Sequence, residues 1–199
     1  ICPAHWQLPT NGETLKNGNN LNYSIINLLK ETSRTGIIEL IDAMEEGGFF
    51  DAPCSSDKHL SKEGGLAEHS LNVVHGMMAL DKALKSDLPW DSIILCGILH
   101  DLGKMGDHGK ANYVMNVLKS GTVSAAKPYK TNPGLIYLPH EIRSAMIAER
   151  FIELTEEEET AILWHNGLYG QFKYDIPGKE TKLYMVLHWA DMWASRVTE

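Results

Sequence analysis

The chain has 199 residues, of which 43% are hydrophobic and 22% charged, a composition typical of one globular domain with a substantial core. Its formal net charge of −8 provides no positive field that would gather phosphate backbones, so long nucleic acid is disfavoured as a partner. No apolar run approaches the roughly 20 residues that span a bilayer, so we expect a soluble protein with no membrane partner.

The cysteines indicate a reducing compartment. Cys2, Cys54 and Cys96 are odd in number and widely spaced, a pattern that favours neither a disulfide framework nor a zinc ribbon. Residues 1–6 lack the charged and apolar regions of a signal peptide. We therefore expect a cytoplasmic protein, and the opening Ile1 is compatible with a trimmed N-terminus.

The N-terminal part of the chain predicts a loop followed by a helix. Residues 7–22 are rich in Asn, Gly and Thr, which favours turns. Apolar residues recur at helical spacing over 37–44, where Thr35 can cap the helix and Gly47-Gly48 can end it. Residues 51–65 predict a second loop.

Two longer helices are predicted in the middle of the chain. The first runs over about 66–85 and carries His69 in its first turns. The second is apolar nearly all round over residues 93–99, as expected for a buried central helix. It delivers His100 and Asp101 at its end.

The last third of the chain predicts three more helices. Residues 119–138 contain two prolines and two glycines with weak periodicity, so they are interpreted as a long connection. Helices are predicted over about 139–152, over 155–165 after a capping box, and over about 182–196. Because no strand pattern rivals these helices, the predicted fold class is all-α.

The segment HDLGK at residues 100–104 predicts a metal site. It places an imidazole and a carboxylate side by side at the end of an apolar helix, where burying both is costly unless something satisfies them. A divalent transition metal does so, because neutral imidazole and ionised carboxylate are suitable ligands for Fe, Mn, Zn, Co or Ni.

Five segments carry His, His-Asp, His, His and Asp in that order along the chain. They are EGGLAEHSLNVV (63–74), GILHDLGK (97–104), LPHE (138–141), LWHNG (163–167) and LHWADMWASR (187–196).

Taken together, these segments resemble the HD-domain metal-dependent phosphohydrolase superfamily in its six-ligand, two-metal form. They look most like the HD modules of bacterial and phage hydrolases and of 3'-to-5' exoribonucleases. The resemblance covers about residues 55–196 and implies a helical bundle with a metal centre in its core. It also implies an HD domain over 55–199, with a leader and helix over 1–54 packing on it as one structural domain.

The resemblance further implies one or two divalent transition metals, of which two are favoured. Two close cations suit phosphate ester hydrolysis, since they polarise the phosphoryl group and activate a water molecule. The implied first metal has the ligands His69, His100, Asp101 and Asp191, and the second has Asp101, His140 and His165.

Asp101 and Lys104 are the candidate catalytic residues. Lys104 follows His100 by four residues, which puts it near the same helical face and within reach of a phosphate oxygen. His59, in the second loop, is interpreted as a structural residue. The further candidates for substrate contact are Asp107, Lys127, Tyr129, Lys130 and Arg143.

The leading functional hypothesis is hydrolysis of a phosphate ester of a nucleotide, or of a similar small phosphorylated molecule, by metal-activated water. One alternative is an exonuclease or phosphodiesterase acting on nucleic acid, although nothing resembles the β-barrel module of the exoribonucleases. A second is a dinuclear-iron HD oxygenase, which shares the ligand order, and a third is a non-catalytic nucleotide-binding module. The intact ligand set argues against that third alternative, and the sequence carries no signal for an oligomeric state.

Overall fold

The computed structural model of the protein describes residues 18–199. This part of the chain contains seven α-helices and two small two-stranded sheets, which confirms the predicted all-α class. The helices are α1 (Gly18–Glu31), α2 (Ile37–Glu46), α3 (Gly65–Leu84), α4 (Trp90–Leu99), α5 (His140–Ala148), α6 (Glu156–Trp164) and α7 (Lys182–Trp193).

Helix α4 lies at the centre of the bundle. Every residue from 92 to 99 is buried, as its apolar composition on all faces requires. Helix α3 packs against both α4 and α7, and α6 packs against α7 and α5. Ile25 and Leu29 of α1 and Leu40 of α2 contribute to the same hydrophobic core. Helix α4 is thus surrounded by α1, α3, α5, α6 and α7.

Two glycines permit the close approaches around the HDLGK segment. A Cβ atom added at Gly97 of α4 would lie 2.6 Å from Cγ2 of Val74 in α3. A Cβ atom added at Gly103, just beyond α4, would lie 2.4 Å from the carbonyl oxygen of His140. Neither distance is sterically allowed. A side chain at either position would thus push this segment away from α3 or α5.

Glu158 ties the start of α6 to the rest of the bundle. Together with Thr155 it forms the predicted capping box, which is confirmed. Its side chain is fully buried, and it accepts bonds from Nη1 and Nη2 of Arg34 at 3.1 and 2.9 Å and from Oγ of Ser92 in α4 at 2.8 Å. One carboxylate thus satisfies donors from three parts of the chain.

Several boundaries differ from the sequence predictions. Residues 18–22 belong to α1 and not to the predicted loop, whose earlier part lies outside the described residues. Thr35 does not cap α2, because the N-cap residue of this helix is Gly36, which has a left-handed φ of 82°. Helix α5 ends at Ala148, short of the predicted 152, and after α7 the backbone continues as a π-helix over Ala194–Thr198.

The short strands were not predicted. Strand β1 (Gly106–Asp107) pairs with β2 (Lys110–Ala111) through a turn in which His108 and Gly109 both have positive φ, as a type I′ hairpin requires. Strand β3 (Tyr113–Met115) pairs antiparallel with β4 (Tyr129–Thr131), which lies inside the predicted long connection. The remainder of that connection leads to α5.

In residues 18–199, no helix combines the length and the hydropathy needed to cross a membrane. The division of the chain at residue 54 stays a prediction.

Candidate metal centre

The helix ends bring six predicted ligands together in the core. Four of the six residues are at most 1% exposed, although all six are polar or charged: His69, His100, Asp101 and His165. They are His69 on α3, His100 at the end of α4, Asp101 directly after it, His140 at the start of α5, His165 at the end of α6 and Asp191 on α7.

One oxygen of Asp101 faces the first pair of histidines. Oδ2 lies 3.5 Å from Nε2 of His69 and 3.4 Å from Nε2 of His100. The two Nε2 atoms are 3.3 Å apart. Asp191 joins this group, because its Oδ1 is 3.2 Å from Nε2 of His69.

The other oxygen of Asp101 faces the second pair. Oδ1 lies 3.1 Å from Nε2 of His140 and 3.5 Å from Nε2 of His165. These two Nε2 atoms are also 3.3 Å apart. The carboxylate of Asp101 therefore stands between two histidine pairs, with one oxygen toward each.

Hydrogen bonds on the far side of the rings fix the histidine tautomers. Nδ1 of His100 donates to the carbonyl of Gly97 at 3.0 Å, and Nδ1 of His165 donates to the carbonyl of Ile162 at 2.7 Å. A carbonyl only accepts, so each proton is on Nδ1 and each Nε2 directs a lone pair into the cluster. His69 is held in the same way, because its Nδ1 lies 3.0 Å from both carboxylate oxygens of Glu199.

This donor set fits metal ions. Donor atoms that share one ion at bond lengths of about 2.0–2.2 Å are about 3.0–3.5 Å apart, which is the range of the separations in each half of the cluster. Oδ1 of Asp101 is buried without a hydrogen-bond donor, although two imidazole nitrogens lie beside it. A cation held between these lone pairs and carboxylate oxygens would satisfy them at these distances.

The electrostatics keep both carboxylates charged. Burial opposes ionisation of Asp101, but the charge of Lys104 and the neighbouring imidazoles outweigh it and hold its pKa well below the usual range. Burial likewise opposes ionisation of Asp191, but the adjacent imidazole of His69 outweighs it, so that pKa is also lowered. Burial lowers the pKa of His100 and of His140, whereas the acidic groups beside His69 and His165 outweigh burial and raise the pKa of those two. A metal needs ionised carboxylates and neutral imidazoles as ligands, so an ion bound here would displace protons from His69 and His165.

Lys104 lies directly beside this cluster. It is in a short 3-10 helix, Leu102–Met105, and its Nζ is 2.5 Å from Oδ2 of Asp101. Burial would lower the pKa of Lys104, but the charge of Asp101 outweighs it and raises the pKa above its usual value. The side chain therefore remains an ammonium group at the edge of the cluster.

Sequence reasoning missed two residues of the 51–65 loop. Sγ of Cys54 is 3.4 Å from Nε2 of His59, 3.8 Å from Nζ of Lys104 and 4.0 Å from Oδ2 of Asp101. Burial raises the pKa of the Cys54 thiol to about 11, so it is uncharged at neutral pH. His59 was interpreted as structural, but it lies against the metal centre.

Sequence reasoning also missed Glu199. Its side chain is 2% exposed and accepts the Nδ1 proton of His69, and Nδ2 of Asn72 donates to the same carboxylate at 3.0 Å. The π-helix after α7 brings this residue back to α3. No local pattern signals a contact between residues 130 positions apart.

Two cavities adjoin the cluster. The first, here called the cation-lined cavity, has a volume of about 390 Å³ and is lined by Asp101, His165 and Asp191 together with Lys58, Lys104 and Arg196. The second, the tyrosine-lined cavity, has a volume of about 340 Å³ and is lined by His140 together with Tyr113, Tyr137 and Tyr169.

Of the candidate substrate contacts, only Lys104 lines either cavity. Asp107 forms a two-bond ion pair with Arg150 on another face, at 2.7 and 2.8 Å. Nζ of Lys127 is 3.6 Å from Asp57. The other three contribute to structure near the connection: Tyr129 and Lys130 belong to β4, and Arg143 is buried and donates to the carbonyl of Ile136.

The chain matches the family model of the HD domain over residues 66–191. Because this match covers more than half of the chain, the protein belongs to the HD domain family, which confirms the resemblance inferred from the five segments. No curated protein and no solved structure matches the chain. Family membership and the buried His and Asp cluster indicate the metal-dependent phosphohydrolase superfamily and a divalent metal site.

Proposed function

We propose that this protein hydrolyses a phosphate ester of a nucleotide or a similar small molecule with a dinuclear metal centre. The proposal is supported above all by the orientation of the Asp101 carboxylate. Its two oxygens face two separate pairs of histidine Nε2 atoms. A carboxylate in this position can bridge two cations. Such pairs are characteristic of phosphate ester hydrolysis.

The residues that would hold the metals fall into two sets that share Asp101. When bound, the two ions supply Lewis-acid polarisation of the phosphoryl group and a water molecule of lowered pKa. The first set is His69, His100, Asp101 and Asp191, and the second is Asp101, His140 and His165.

Lys104 is the proposed phosphate-binding residue. Its ammonium group lies at the boundary between the cluster and the cation-lined cavity, next to Asp101. A phosphate at the cluster would bring oxygens within reach of this charge, which adds a charge-assisted hydrogen bond. The lysine would thus orient the phosphate and offset the negative charge that develops on it.

Small molecules are the proposed substrates because of cavity size and charge. Volumes of about 340 and 390 Å³ are at the lower end of the range for small-molecule sites. The net charge of −8 opposes the approach of a polyanionic strand, whereas a few local cations can bind one short phosphate group. We also propose a cytoplasmic location, from the cysteine pattern.

A metal-loaded activity screen tests the proposal. Protein reconstituted with Mn, Fe, Co, Ni or Zn would be assayed against mono-, di- and triphosphates and diesters, with oxygen uptake recorded in parallel. We expect phosphate ester hydrolysis that is lost in His69→Ala and kept in His75→Ala, a matched variant further along α3. Oxygen uptake without hydrolysis would support the oxygenase alternative, and binding without turnover would support the nucleotide-binding module.

A further inference from the structure

The two cavities open onto different ligands of the same metal centre. His140 lines the tyrosine-lined cavity, whereas Asp101 and Asp191 line the cation-lined cavity. Asn166 and Tyr169 line both, and Nδ2 of Asn166 is 3.3 Å from Nε2 of His140. A molecule whose phosphorus atom lies at the metal centre can therefore extend into both cavities.

The linings of the two cavities have different chemistry. Lys58, Lys104 and Arg196 supply three cationic groups to one cavity. No lysine or arginine of the described chain lines the other, where Tyr113 and Tyr137 stand beside amide side chains. The first cavity suits a group with several negative charges, and the second suits a flat aromatic group with hydrogen-bonding edges.

Nucleobases are flat aromatic groups of the kind that suits the tyrosine-lined cavity. They stack on tyrosine rings, and amide side chains can pair with the donors and acceptors on their edges. Asn112, Asn166 and Gln171 provide such amides in the tyrosine-lined cavity. Short phosphate chains suit the cation-lined cavity, because lysine and arginine bind phosphate oxygens through charge-assisted hydrogen bonds.

Arg196 also links the two cavities. Its guanidinium carbon lies 5.1 Å from the ring centroid of Tyr169, a cation–π contact. This contact holds the guanidinium against Tyr169, which lines both cavities. A phosphate that leaves the metal centre on the cationic side would meet Arg196 and Lys58.

We propose that the substrate is a nucleoside polyphosphate that is cleaved at the phosphorus atom attached to the nucleoside. The nucleoside occupies the tyrosine-lined cavity, and the remaining phosphates occupy the cation-lined cavity. This proposal rests on the proposed phosphohydrolase function and adds its substrate class.

The reaction with a nucleoside triphosphate balances without a further reactant. A water oxygen bonds to the α-phosphorus while the bond from that phosphorus to the α,β-bridging oxygen breaks. The electron pair of this bond leaves with pyrophosphate, and the proton lost by the attacking water is released to the solvent. The products are a nucleoside monophosphate and pyrophosphate. A nucleoside monophosphate would leave the cationic cavity empty and so would be a poorer substrate.

Product analysis tests the substrate class. Metal-loaded protein would be incubated with a nucleoside triphosphate, the matching monophosphate and the nitrophenyl ester of that monophosphate, and the products followed by phosphorus NMR. We expect pyrophosphate as the first product and a kcat/KM for the triphosphate at least about tenfold above that for the monophosphate. Faster release of orthophosphate from the monophosphate would overturn this proposal and leave the phosphohydrolase function intact. If none of the three compounds is hydrolysed and a wider panel of phosphate esters is also inert, the proposed phosphohydrolase function itself is contradicted.

Two variants test the orientation of the substrate. The double variant Lys58→Gln with Arg196→Gln should lower kcat/KM for the triphosphate by about tenfold and that for the nitrophenyl ester by less than about twofold. Lys82→Gln, an exposed lysine on α3, is the matched control. An equal loss on both substrates would contradict the assignment of the leaving phosphates to the cation-lined cavity.

Tyr137→Ala tests the nucleoside cavity, with Tyr174→Ala as a control of similar exposure, 80% against 85%. We expect Tyr137→Ala to raise KM for the triphosphate while hydrolysis of inorganic tripolyphosphate is unchanged. An unchanged KM would contradict the assignment of the nucleoside to this cavity.

Discussion

Glu199→Gln should weaken the first metal site without disturbing the fold. Both carboxylate oxygens lie 3.0 Å from Nδ1 of His69, so the carboxylate holds the proton there and leaves the Nε2 lone pair for a metal. Glutamine has the same shape but no charge. Its amide nitrogen can also donate to Nδ1, which would favour the tautomer whose Nε2 carries the proton and cannot ligate.

The size of the expected loss in metal affinity follows from the position of the hydrogen bond between Glu199 and His69. Loss of a group that orients a ligating histidine typically costs 10- to 100-fold in metal affinity, or about 1.4–2.7 kcal/mol. The Glu199 side chain is only 2% exposed, so solvent does little to screen its charge from His69. We therefore expect a loss in the upper half of this range, about 30- to 100-fold.

Competition with a chromophoric chelator measures the effect. The affinity for Mn or Zn would be titrated in the unmodified protein and in Glu199→Gln, and the first and second ions resolved by the shape of the curve. Glu68→Gln is the matched control, because Glu68 lies on α3 one residue before His69 and pairs with Lys62 at 2.7 Å. Circular dichroism of the same samples would separate weaker binding from loss of structure.

Equal metal affinities for Glu199→Gln and Glu68→Gln, with both proteins folded, would refute the idea that Glu199 orients His69. A loss confined to the second ion would refute the assignment of His69 to the first site.

Asp101→Ala should lose both metals and all activity. Lys104→Ala should keep its metal content in elemental analysis and lose catalytic rate. A metal-free Lys104→Ala protein would contradict the placement of the Lys104 side chain at the phosphate. Glu158→Ala should lower the free energy of unfolding in urea by about 3–5 kcal/mol, because it leaves Arg34 and two further donors without their buried acceptor, while the exposed Glu157→Ala should change little. Burial opposes ionisation of Glu158, but its hydrogen bonds outweigh this and lower its pKa below 4.5, so its stabilisation is complete above that pH and disappears as the pH falls through the lowered pKa. If Glu158→Ala and Glu157→Ala differ in free energy of unfolding by the same amount at pH 3 as at neutral pH, this direction of the pH dependence is contradicted. Mononucleotides or dinucleotides should have a greater kcat/KM than single-stranded RNA or DNA at matched salt, and processive shortening of a labelled oligonucleotide with no turnover of nucleotides would contradict the charge argument.

The sequence by itself determined the helices around the centre and the residue types that meet there. The apolar spacing of α3 and α4 is a local property, since side chains every three or four residues share one helical face wherever the helix lies. The chemistry of HDLGK is also local, because a histidine and an aspartate at the end of a buried helix need a compensating partner. This reasoning, with the family resemblance, named the six candidate ligands that converge in the structure.

Tertiary structure decided the contacts that join distant parts of the chain. Strands of two or three residues, such as β1 and β3, are too short for an alternating pattern, and their partners supply the hydrogen bonds that stabilise them. The 51–65 loop has no periodicity, so only packing reveals that Cys54 and His59 lie at the metal centre.

The orientation of the ligands was decided in the same way. The contact of Glu199 with His69 spans 130 residues, and the division of the Asp101 oxygens between two histidine pairs depends on how four helix ends meet. A propensity or a spacing describes one segment at a time. The donors of a metal centre are instead fixed by the packing of several helices around α4, and that packing is a property of the whole core.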